Sequence, residues 1–256
     1  MILTGDIGGT NTRLALFEHT AAALVARHRR DYRNDDFAGL PQILNAFLAD
    51  SGHARPSAAC FGVAGLIVDG RCHLTNRDWL IEESALSAQF GAPVQLINDV
   101  AAIASGVVHL PLGGFAVLQA GMRRWASGTI AVVAPGTGLG QGAAFWDGTR
   151  HRPFPSEGGH ADFAPVDAVE LELAAFLNAR HGGHASYERV LSGPGIADIA
   201  DFLVASGRFA PLQVLAATGA AQRAAQIVQL AIDSREPLAL ATLDSFLAVL
   251  AREAGN

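Results

Sequence analysis

The sequence has no lysine: all 18 basic residues among its 256 are arginine. This absence excludes Schiff-base and pyridoxal chemistry, which need a lysine amine. It also excludes the Walker A phosphate loop, whose lysine reaches the β- and γ-phosphates. Any phosphate site in this chain must therefore use backbone amides, hydroxyl groups or arginine.

Cysteine and long apolar runs are also scarce. Cys60 and Cys72 are the only cysteines, and without CxxC spacing or a nearby histidine pair we predict buried free thiols rather than a metal or redox site. No apolar run approaches membrane-spanning length and "MILTGDIGG" has no basic leader, which predicts a cytoplasmic protein with no membrane partner. The net charge of −6, without arginines interleaved with aromatics, argues against nucleic acid as a partner.

Strand-like and helical segments alternate up to residue 109, which predicts an α/β domain. We predict a third strand over 22–29 and a helix over 79–90, and the Asp167 to Glu170 spacing predicts a capped helix over 168–180. "TIAVVAPGTGLGQGAAFWDG" repeats the strand, glycine turn and strand of the N-terminal segment. This repetition predicts two related lobes, 1–109 and 110–256, with a ligand cleft between them.

The first glycine turn, "GDIGGTN", has two explanations from its residues alone. Glycines allow close backbone approaches, so the amides from Gly8 to Asn11 could surround an anion while Asp6 holds the water of a metal ion. A plain hairpin with a glycine turn has the same sequence pattern. The residues leave both explanations open.

Three further segments carry polar side chains that suit chemistry. "QLINDV" places Asn98 and Asp99 at the end of a buried strand, where α/β folds bind ligands, although such a pair is equally typical of a helix cap. "PSEGGHADFAP" places Glu157 and His160 around two glycines, which suits contacts with sugar hydroxyls but is also typical of a surface loop. Glu188 in "SYERVLSGPG" is equally well explained as a solvated helix residue.

Taken together and in order, six motifs resemble the bacterial glucokinase family, in the hexokinase branch of the actin-like ATPases. The motifs are "GDIGGTN", "LTNRDW", "LINDV", "APGTGLG", "SEGGHADFAP" and "ERVLSGPG", and they run nearly end to end. The resemblance implies a two-lobed RNase H-like α/β fold. It also implies phosphorylation of glucose at the 6-hydroxyl by ATP with Mg²⁺, giving glucose 6-phosphate and ADP.

The resemblance also implies a role for each matching residue. Asp99 matches the catalytic base, and Asp6 lies near Mg²⁺, which it would hold through water. The positions that contact the phosphates of the nucleotide are Gly8, Gly9, Thr10, Asn11, Gly136 and Thr137. The positions on the sugar side are Asn98, Gly138, Glu157, His160 and Glu188.

Two departures from the family pattern leave alternatives open. Gln141 stands where the family more often has a small apolar residue. The chain stops at "FLAVLAREAGN", where the family continues into an adenosine-binding segment, so we expect a truncated chain with a partly bare apolar face at Leu243, Phe246, Leu247 and Leu250. Gly255 and Asn256 would otherwise form a normal helix C-cap.

The alternatives are a catalytically silent sugar-binding remnant or sensor, and a ROK-like kinase for another hexose. ROK sugar kinases share the first and fourth motifs but usually add a cysteine-rich zinc motif, which this sequence lacks. Both phosphate turns would accept polyphosphate as well as ATP. A homodimer is usual in the family.

Overall fold

The computed structural model describes residues 1–21, 23–52, 55–74, 77–119, 127–216 and 218–255. The chain divides into two compact units, which we call the first and the second unit. The first unit is Met1–Met122 with His151–Pro153, and the second is Arg123–Arg150 with Phe154–Asn256. Among the described residues, no helix combines the length and apolar character needed to cross a membrane.

The secondary structure begins with a strand hairpin and ends with a long helix. The strands are β1 (Ile2–Ile7), β2 (Asn11–His19), β3 (Leu24–Arg33), β4 (Ala58–Val63), β5 (Ile67–Val68), β6 (Arg71–His73), β7 (Leu80–Glu82), β8 (Val94–Asn98), β9 (Ile130–Pro135), β10 (Leu139–Trp146) and β11 (His151–Ser156). The helices are α1 (Leu40–Ser51), α2 (Glu83–Phe90), α3 (Asp99–Val107), α4 (Ala168–Arg180), α5 (Tyr187–Val190), α6 (Gly193–Ala205), α7 (Gln213–Ala216), α8 (Ala220–Asp233) and α9 (Pro237–Gly255).

The first unit is built on a five-stranded sheet in the order β3-β2-β1-β4-β8. β1, β2 and β3 pair antiparallel, whereas β4 and β8 run parallel to β1. Buried residues alternate along β2, with Leu14 and Leu16 almost inaccessible, and α1 buries Ile43 and Phe47 at helical spacing. The strands and helices therefore share one apolar core.

The register of the parallel strands brings three strand ends to one edge of this sheet. Ile7 of β1 is opposite Val63 of β4, and Val63 is opposite Asn98 of β8. The Ala64 amide also donates to the Ile7 carbonyl at 3.1 Å. Adjacent strands lie about 4.8 Å apart, so Asn98 lies roughly 10 Å from Ile7, where the first glycine turn begins.

The second unit combines a small sheet with a helical core. In this sheet β10 pairs antiparallel with β9, and the part of β11 from Phe154 onward lies beside β10. α6 packs against both α8 and α9, and its face carrying Ile199, Ala200 and Leu203 is buried in their shared core. The hairpin of β9 and β10 repeats the strand, glycine turn and strand of β1 and β2, as the sequence repetition predicts.

Several sequence predictions can be judged against these elements. The helix predicted over 168–180 is confirmed, and the Asp167 carboxylate accepts from the Glu170 amide at 2.9 Å. The third strand is confirmed from Leu24 onward but extends to Arg33, while Ala22 lies outside the described residues.

The helix predicted over 79–90 is wrong in its first part, because Leu80–Glu82 form β7 and pair with β6. Pairing with a neighbouring strand overrides the local helical pattern in this segment. The expectation of a bare face on α9 is wrong for Phe246, which is buried, although Leu247 is 54% exposed. Asn256 and the pair at 75–76 of "LTNRDW" lie outside the described residues.

Candidate active site

The first glycine turn joins β1 to β2, and the protein holds every carbonyl group of the turn. The Asn34 side chain donates to the Gly8 carbonyl at 2.8 Å, and the Asn34 backbone amide donates to the Thr10 carbonyl at 2.9 Å. The Arg77 guanidinium donates to the Gly9 carbonyl between them. Among the described residues, no acceptor takes the amide protons of Gly9 or Thr10.

The turn is therefore a hairpin turn and an anion-binding candidate at once. The Gly8 amide closes the hairpin on the Asn11 carbonyl at 3.0 Å. Successive amides that have no protein acceptor form the kind of concavity that binds phosphate. The two explanations that the sequence leaves open are thus compatible.

Asp6 lies on β1, one strand position before the turn. Its carboxylate is about half exposed and pairs with the Arg13 guanidinium at 2.8 Å across the hairpin. Mg²⁺ keeps several waters and is usually held by one or two carboxylates together with substrate phosphates. Among the described residues there is no group of three or more acidic, histidine or cysteine side chains that would hold a metal. A half-exposed carboxylate next to an anion-binding candidate is compatible with Mg²⁺ held through water.

Asn98 and Asp99 lie at the junction of β8 and α3. The Asn98 side-chain oxygen accepts from the amides of Val100 at 2.9 Å and Ala101 at 3.2 Å, so Asn98 is the N-cap of α3. Asp99 is the first residue of the helix and is half-buried. The helix-cap explanation is confirmed for Asn98, but the cap uses only the oxygen of its carboxamide.

The two thiols lie in the first unit. Both cysteines are free, as predicted, but only Cys72 is buried, whereas Cys60 is half-buried. Burial, and then the Asp99 carboxylate, raise the pKa of the Cys72 thiol. Asp99 therefore lies close enough to Cys72 to act on its charge.

The second glycine turn, 136–138, joins β9 to β10. The Gly136 amide donates to the Gly138 carbonyl at 2.7 Å, and the Gly193 amide at the start of α6 donates to the Gly136 carbonyl at 2.8 Å. A Cβ at Gly138 would collide with the Glu188 carboxylate, which also accepts from the Leu139 amide at 3.0 Å. Gly138 is thus the residue that lets Glu188 reach the turn. Thr137, between the two glycines, is exposed.

The loop that carries Glu157 and His160 lies directly on β10. Gly158 and Gly159 begin a 3-10 helix, and a Cβ at Gly159 would collide with the Leu139 carbonyl. A Cβ at Gly158 would collide with the Gln141 side chain, which in turn donates to Glu253 of α9 at 2.7 Å. Gly159 is therefore required for packing against the β10 backbone, whereas a side chain at Gly158 would only displace the end of the Gln141 side chain.

His160 lies between two carboxylates in the second unit. Its Nε2 is 3.6 Å from a Glu157 oxygen and its Nδ1 is 4.0 Å from a Glu188 oxygen. Both distances are within ion-pair range but too long for hydrogen bonds. His160 and Glu157 are largely exposed, whereas Glu188 is only 26% exposed. These side chains leave donors and acceptors for a ligand rich in hydroxyl groups.

The structure therefore groups the predicted residues into two sets. The first unit brings together Asp6, the turn from Gly8 to Asn11, and the pair Asn98 and Asp99. The second unit brings together the turn 136–138 and the side chains of Glu157, His160 and Glu188.

The residues that hold these two groups of side chains and turns in place were not identified from the sequence. Asn34 and Arg77 hold the first turn; Arg77 lies in the motif "LTNRDW", to which the sequence assigns no role, and Asn34 lies in no motif. Gln141 stood out only as a departure from the family pattern, and its contacts with Gly158 and Glu253 explain its position.

Comparison with known proteins gives consistent matches over the whole chain. The family model for glucokinase matches residues 3–256. The glucokinase of Trichormus variabilis is 35% identical over 272 residues, which cover 100% of this chain and 79% of that protein. The solved glucokinase from an Antarctic psychrotroph has a TM-score of 0.79 at 33% identity, covering 99% of this chain and 77% of that one.

A more distant solved structure supports the fold. Glucokinase from Balamuthia mandrillaris, in complex with glucose, has a TM-score of 0.71 at 23% identity. The match covers 94% of this chain and 71% of that one.

Proposed function

Because the chain belongs to the glucokinase family, whose reaction is the ATP-dependent phosphorylation of glucose, we propose that it performs this reaction with the two residue sets described above. Its fold is the α/β fold of the actin-like ATPase sugar kinases. The alternative of a silent sugar-binding remnant is not favoured, because relatives at 35–36% identity across the chain are glucokinases. The observation that carries the residue assignment is the shared sheet edge of the first turn and Asn98–Asp99.

The two glycine turns bind the phosphates of ATP. In the first turn the contacts come from Gly8 to Asn11, and in the second from Gly136 and Thr137. The amides of Gly9 and Thr10 have no acceptor among the described residues, which suits phosphate oxygens. Backbone amides and the Thr137 hydroxyl thus take the part that lysine plays in P-loop enzymes.

Asp6, near the first turn, would hold Mg²⁺ through water. When bound, Mg²⁺ supplies positive charge that neutralises the β- and γ-phosphates during transfer. The exposed Asp6 carboxylate forms an ion pair with the Arg13 guanidinium. The positive charge of Arg13 would therefore affect how strongly Asp6 attracts the ion.

Glucose is held by carboxylates, an imidazole and a carboxamide. Glu157 and Glu188 accept hydrogen bonds from sugar hydroxyls, and His160 between them contributes a ring nitrogen. The Asn98 nitrogen is not used by the helix cap and donates to the sugar. Gly138 lies on the sugar side, where a side chain would displace Glu188.

Asp99 is the general base of the reaction. Its carboxylate accepts the proton of the sugar 6-hydroxyl while that oxygen attacks the γ-phosphorus and the bond to ADP breaks. Phosphoryl transfer has a loose transition state, so positioning and charge neutralisation carry most of the catalysis. A carboxylate at the helix start, half-buried at the sheet edge, is fixed in place for this step.

Two broader assignments follow from the same proposal. The protein acts in the cytoplasm, where ATP is present. It forms a homodimer, as the family resemblance implies, which light scattering of the purified chain would test.

A coupled assay of ADP release with a panel of hexoses tests the proposed function. We expect glucose-dependent ADP release with ATP, and weaker release with other hexoses. ADP release that no hexose stimulates, from a chain whose circular dichroism shows intact folding, would contradict the proposal. A clear preference for another hexose would instead favour the ROK-like alternative. Replacing ATP by polyphosphate in the same assay identifies the donor.

A further inference from the structure

Two polar side chains of the first unit are completely buried next to the first glycine turn. Thr12 lies on β2 and Asn34 begins the 3-10 helix that follows β3, and both are 0% exposed. Burial of a polar group is unfavourable unless the group is hydrogen-bonded. The partners of these two side chains therefore show what their burial achieves.

Asn34 links Thr12 to both ends of the turn. The Thr12 hydroxyl donates to the Asn34 side-chain oxygen at 2.7 Å. The Asn34 side-chain nitrogen donates to the Gly8 carbonyl at 2.8 Å, and its backbone amide donates to the Thr10 carbonyl at 2.9 Å. Thr12 fixes the orientation of the carboxamide, and the carboxamide fixes the turn.

These bonds determine where the amides of the turn point. A peptide unit is planar and trans, so its carbonyl and the following N–H point in opposite directions. Holding the Gly8 carbonyl therefore directs the Gly9 N–H away from Asn34. The hydrogen bond from the Asn34 backbone amide to the Thr10 carbonyl likewise directs the Asn11 N–H away from Asn34.

Arg77 completes the arrangement at the middle of the turn. Its guanidinium donates to the Gly9 carbonyl, which fixes the N–H of Thr10. Arg77 is itself held by Asp35 and by the ring of Trp79, 5.4 Å from the guanidinium carbon. The N–H groups of Gly9, Thr10 and Asn11 are thus each oriented by a hydrogen bond to the carbonyl of the same peptide unit.

We propose that Asn34, oriented by Thr12, is a positioning residue for the phosphoryl donor. It acts through the turn, by presenting the amides in a fixed arrangement before the phosphates bind. The inference rests on the proposed function in taking phosphate as the ligand of the turn. A carboxamide suits this position, because its oxygen accepts from Thr12 while its nitrogen donates to Gly8.

Two substitutions test the proposal in complementary ways. Asn34→Ala removes both side-chain bonds, and Thr12→Val keeps the shape of Thr12 but leaves the Asn34 oxygen without its donor. Thr12→Ser restores the hydroxyl and should restore most of the lost function. Thr4→Val is the matched control, because Thr4 lies on β1 of the same hairpin and its hydroxyl donates to the Ala15 carbonyl at 3.4 Å, away from the turn.

The expected result is a selective loss of donor affinity. We expect Asn34→Ala and Thr12→Val to raise the KM for ATP about tenfold or more, the effect of one good hydrogen bond, with the KM for glucose nearly unchanged. Calorimetry with inorganic tripolyphosphate should show the same loss without turnover. Thr4→Val should leave both KM values unchanged.

Different results separate this inference from the proposed function. If the folded variants keep the wild-type KM for ATP, or if both KM values rise together, Asn34 is only structural and the inference fails. If the wild-type chain shows no glucose-dependent turnover but binds tripolyphosphate, and Asn34→Ala abolishes that binding, the proposed function fails while the positioning role stands.

Discussion

Asp99 can both stabilise the start of α3 and accept a proton at the sheet edge. As an acidic residue in the first turn of α3 it is favourably placed in the field of the helix, and at the sheet edge it can receive a proton. Both roles require an ionised carboxylate, but the first acts on the stability of α3 and the second on kcat, so measuring stability and turnover of one variant separates them.

Asp99→Asn should lower kcat by roughly two or more orders of magnitude, the usual contribution of general-base catalysis. The KM for glucose should change much less, since the carboxamide keeps the size of the side chain and one acceptor oxygen. Steady-state kinetics with both substrates measures this. Asp244→Asn, at an exposed aspartate, is the control. An equal loss in kcat and in glucose affinity would make Asp99 a binding residue instead.

Gly138 has no side chain, and this lets the Glu188 carboxylate reach the second glycine turn. Gly138→Ala places a methyl group where the Glu188 carboxylate lies, so that carboxylate must move away from the Leu139 amide. We expect the KM for glucose to rise about tenfold or more, by loss of a charge-assisted hydrogen bond. Gly106→Ala in α3 is the control, because no described atom lies within 4 Å of its added Cβ. A Gly138→Ala enzyme with unchanged glucose KM would show that Glu188 does not hold the sugar.

Single residues also show what sequence reasoning can reach. Glu157 and His160 were identified together because three positions and two glycines separate them, and the structure brings Glu188 beside them. Thr12 and Asn34 are 22 positions apart and carry no motif. Their importance comes from complete burial and mutual hydrogen bonding, which residue type alone does not indicate.

At the scale of elements, Asn98 is both the last residue of β8 at the sheet edge and the N-cap of α3. The N-cap bond uses the Asn98 oxygen, and the proposed sugar contact uses the Asn98 nitrogen. The cap and the contact therefore predict different responses to the same substitution.

Asn98→Asp keeps an oxygen acceptor for the amides of α3 and should leave the helix stable, since aspartate is an equally good N-cap. It loses the NH₂ donor, so we expect the KM for glucose to rise about tenfold or more while the thermal midpoint is unchanged. Asn98→Ala serves as the comparison, because it also removes the cap and should cost about 1 kcal/mol of stability. A stable Asn98→Asp enzyme with wild-type glucose KM would leave Asn98 as a helix cap alone.

Elements were predicted well where local pattern and tertiary pairing agree. The Asp167 cap fixes the start of α4, and the observed helix has the predicted bounds. Between Leu80 and Glu82 the local pattern favoured a helix, but pairing with Arg71–His73 made a strand. Such short strands depend on a partner elsewhere in the chain, so a local pattern cannot identify them.

At the scale of the whole molecule, each unit has a separate apolar core and its own arginine–aspartate pairs. In the first unit, hydrogen bonding to Arg77 lowers the pKa of Asp35, and hydrogen bonding to Arg30 lowers that of Asp50. In the second unit, burial alone would raise the pKa of Asp201, but Arg223 and Arg180 hold it below its usual value. The absence of lysine leaves arginine as the partner in all of these pairs.

These lowered pKa values predict a loss of stability in acid. Aspartate in an unfolded chain has a pKa of about 3.9. Between that pH and the lower pKa of the folded state, the unfolded chain binds more protons than the folded protein. The stabilisation is complete above about pH 3.9 and is lost as the pH falls through the folded pKa. The free energy of unfolding in urea, measured from neutral to acid pH, should therefore fall steeply below about pH 4.

Asp201→Asn tests the contribution of the least exposed of these three aspartates. Asp201 is 26% exposed and bonds to Arg180 at 2.9 Å, so solvent screens it less than the exposed Asp35 and Asp50. The variant should lose about 1 to 3 kcal/mol at neutral pH, typical of hydrogen bonds to charged groups. That difference should vanish once Asp201 of the wild type is protonated, and added salt should reduce it little. Asp244→Asn is the control, and an Asp201→Asn variant that follows the wild type at every pH would mean that its arginine bonds do not stabilise the fold.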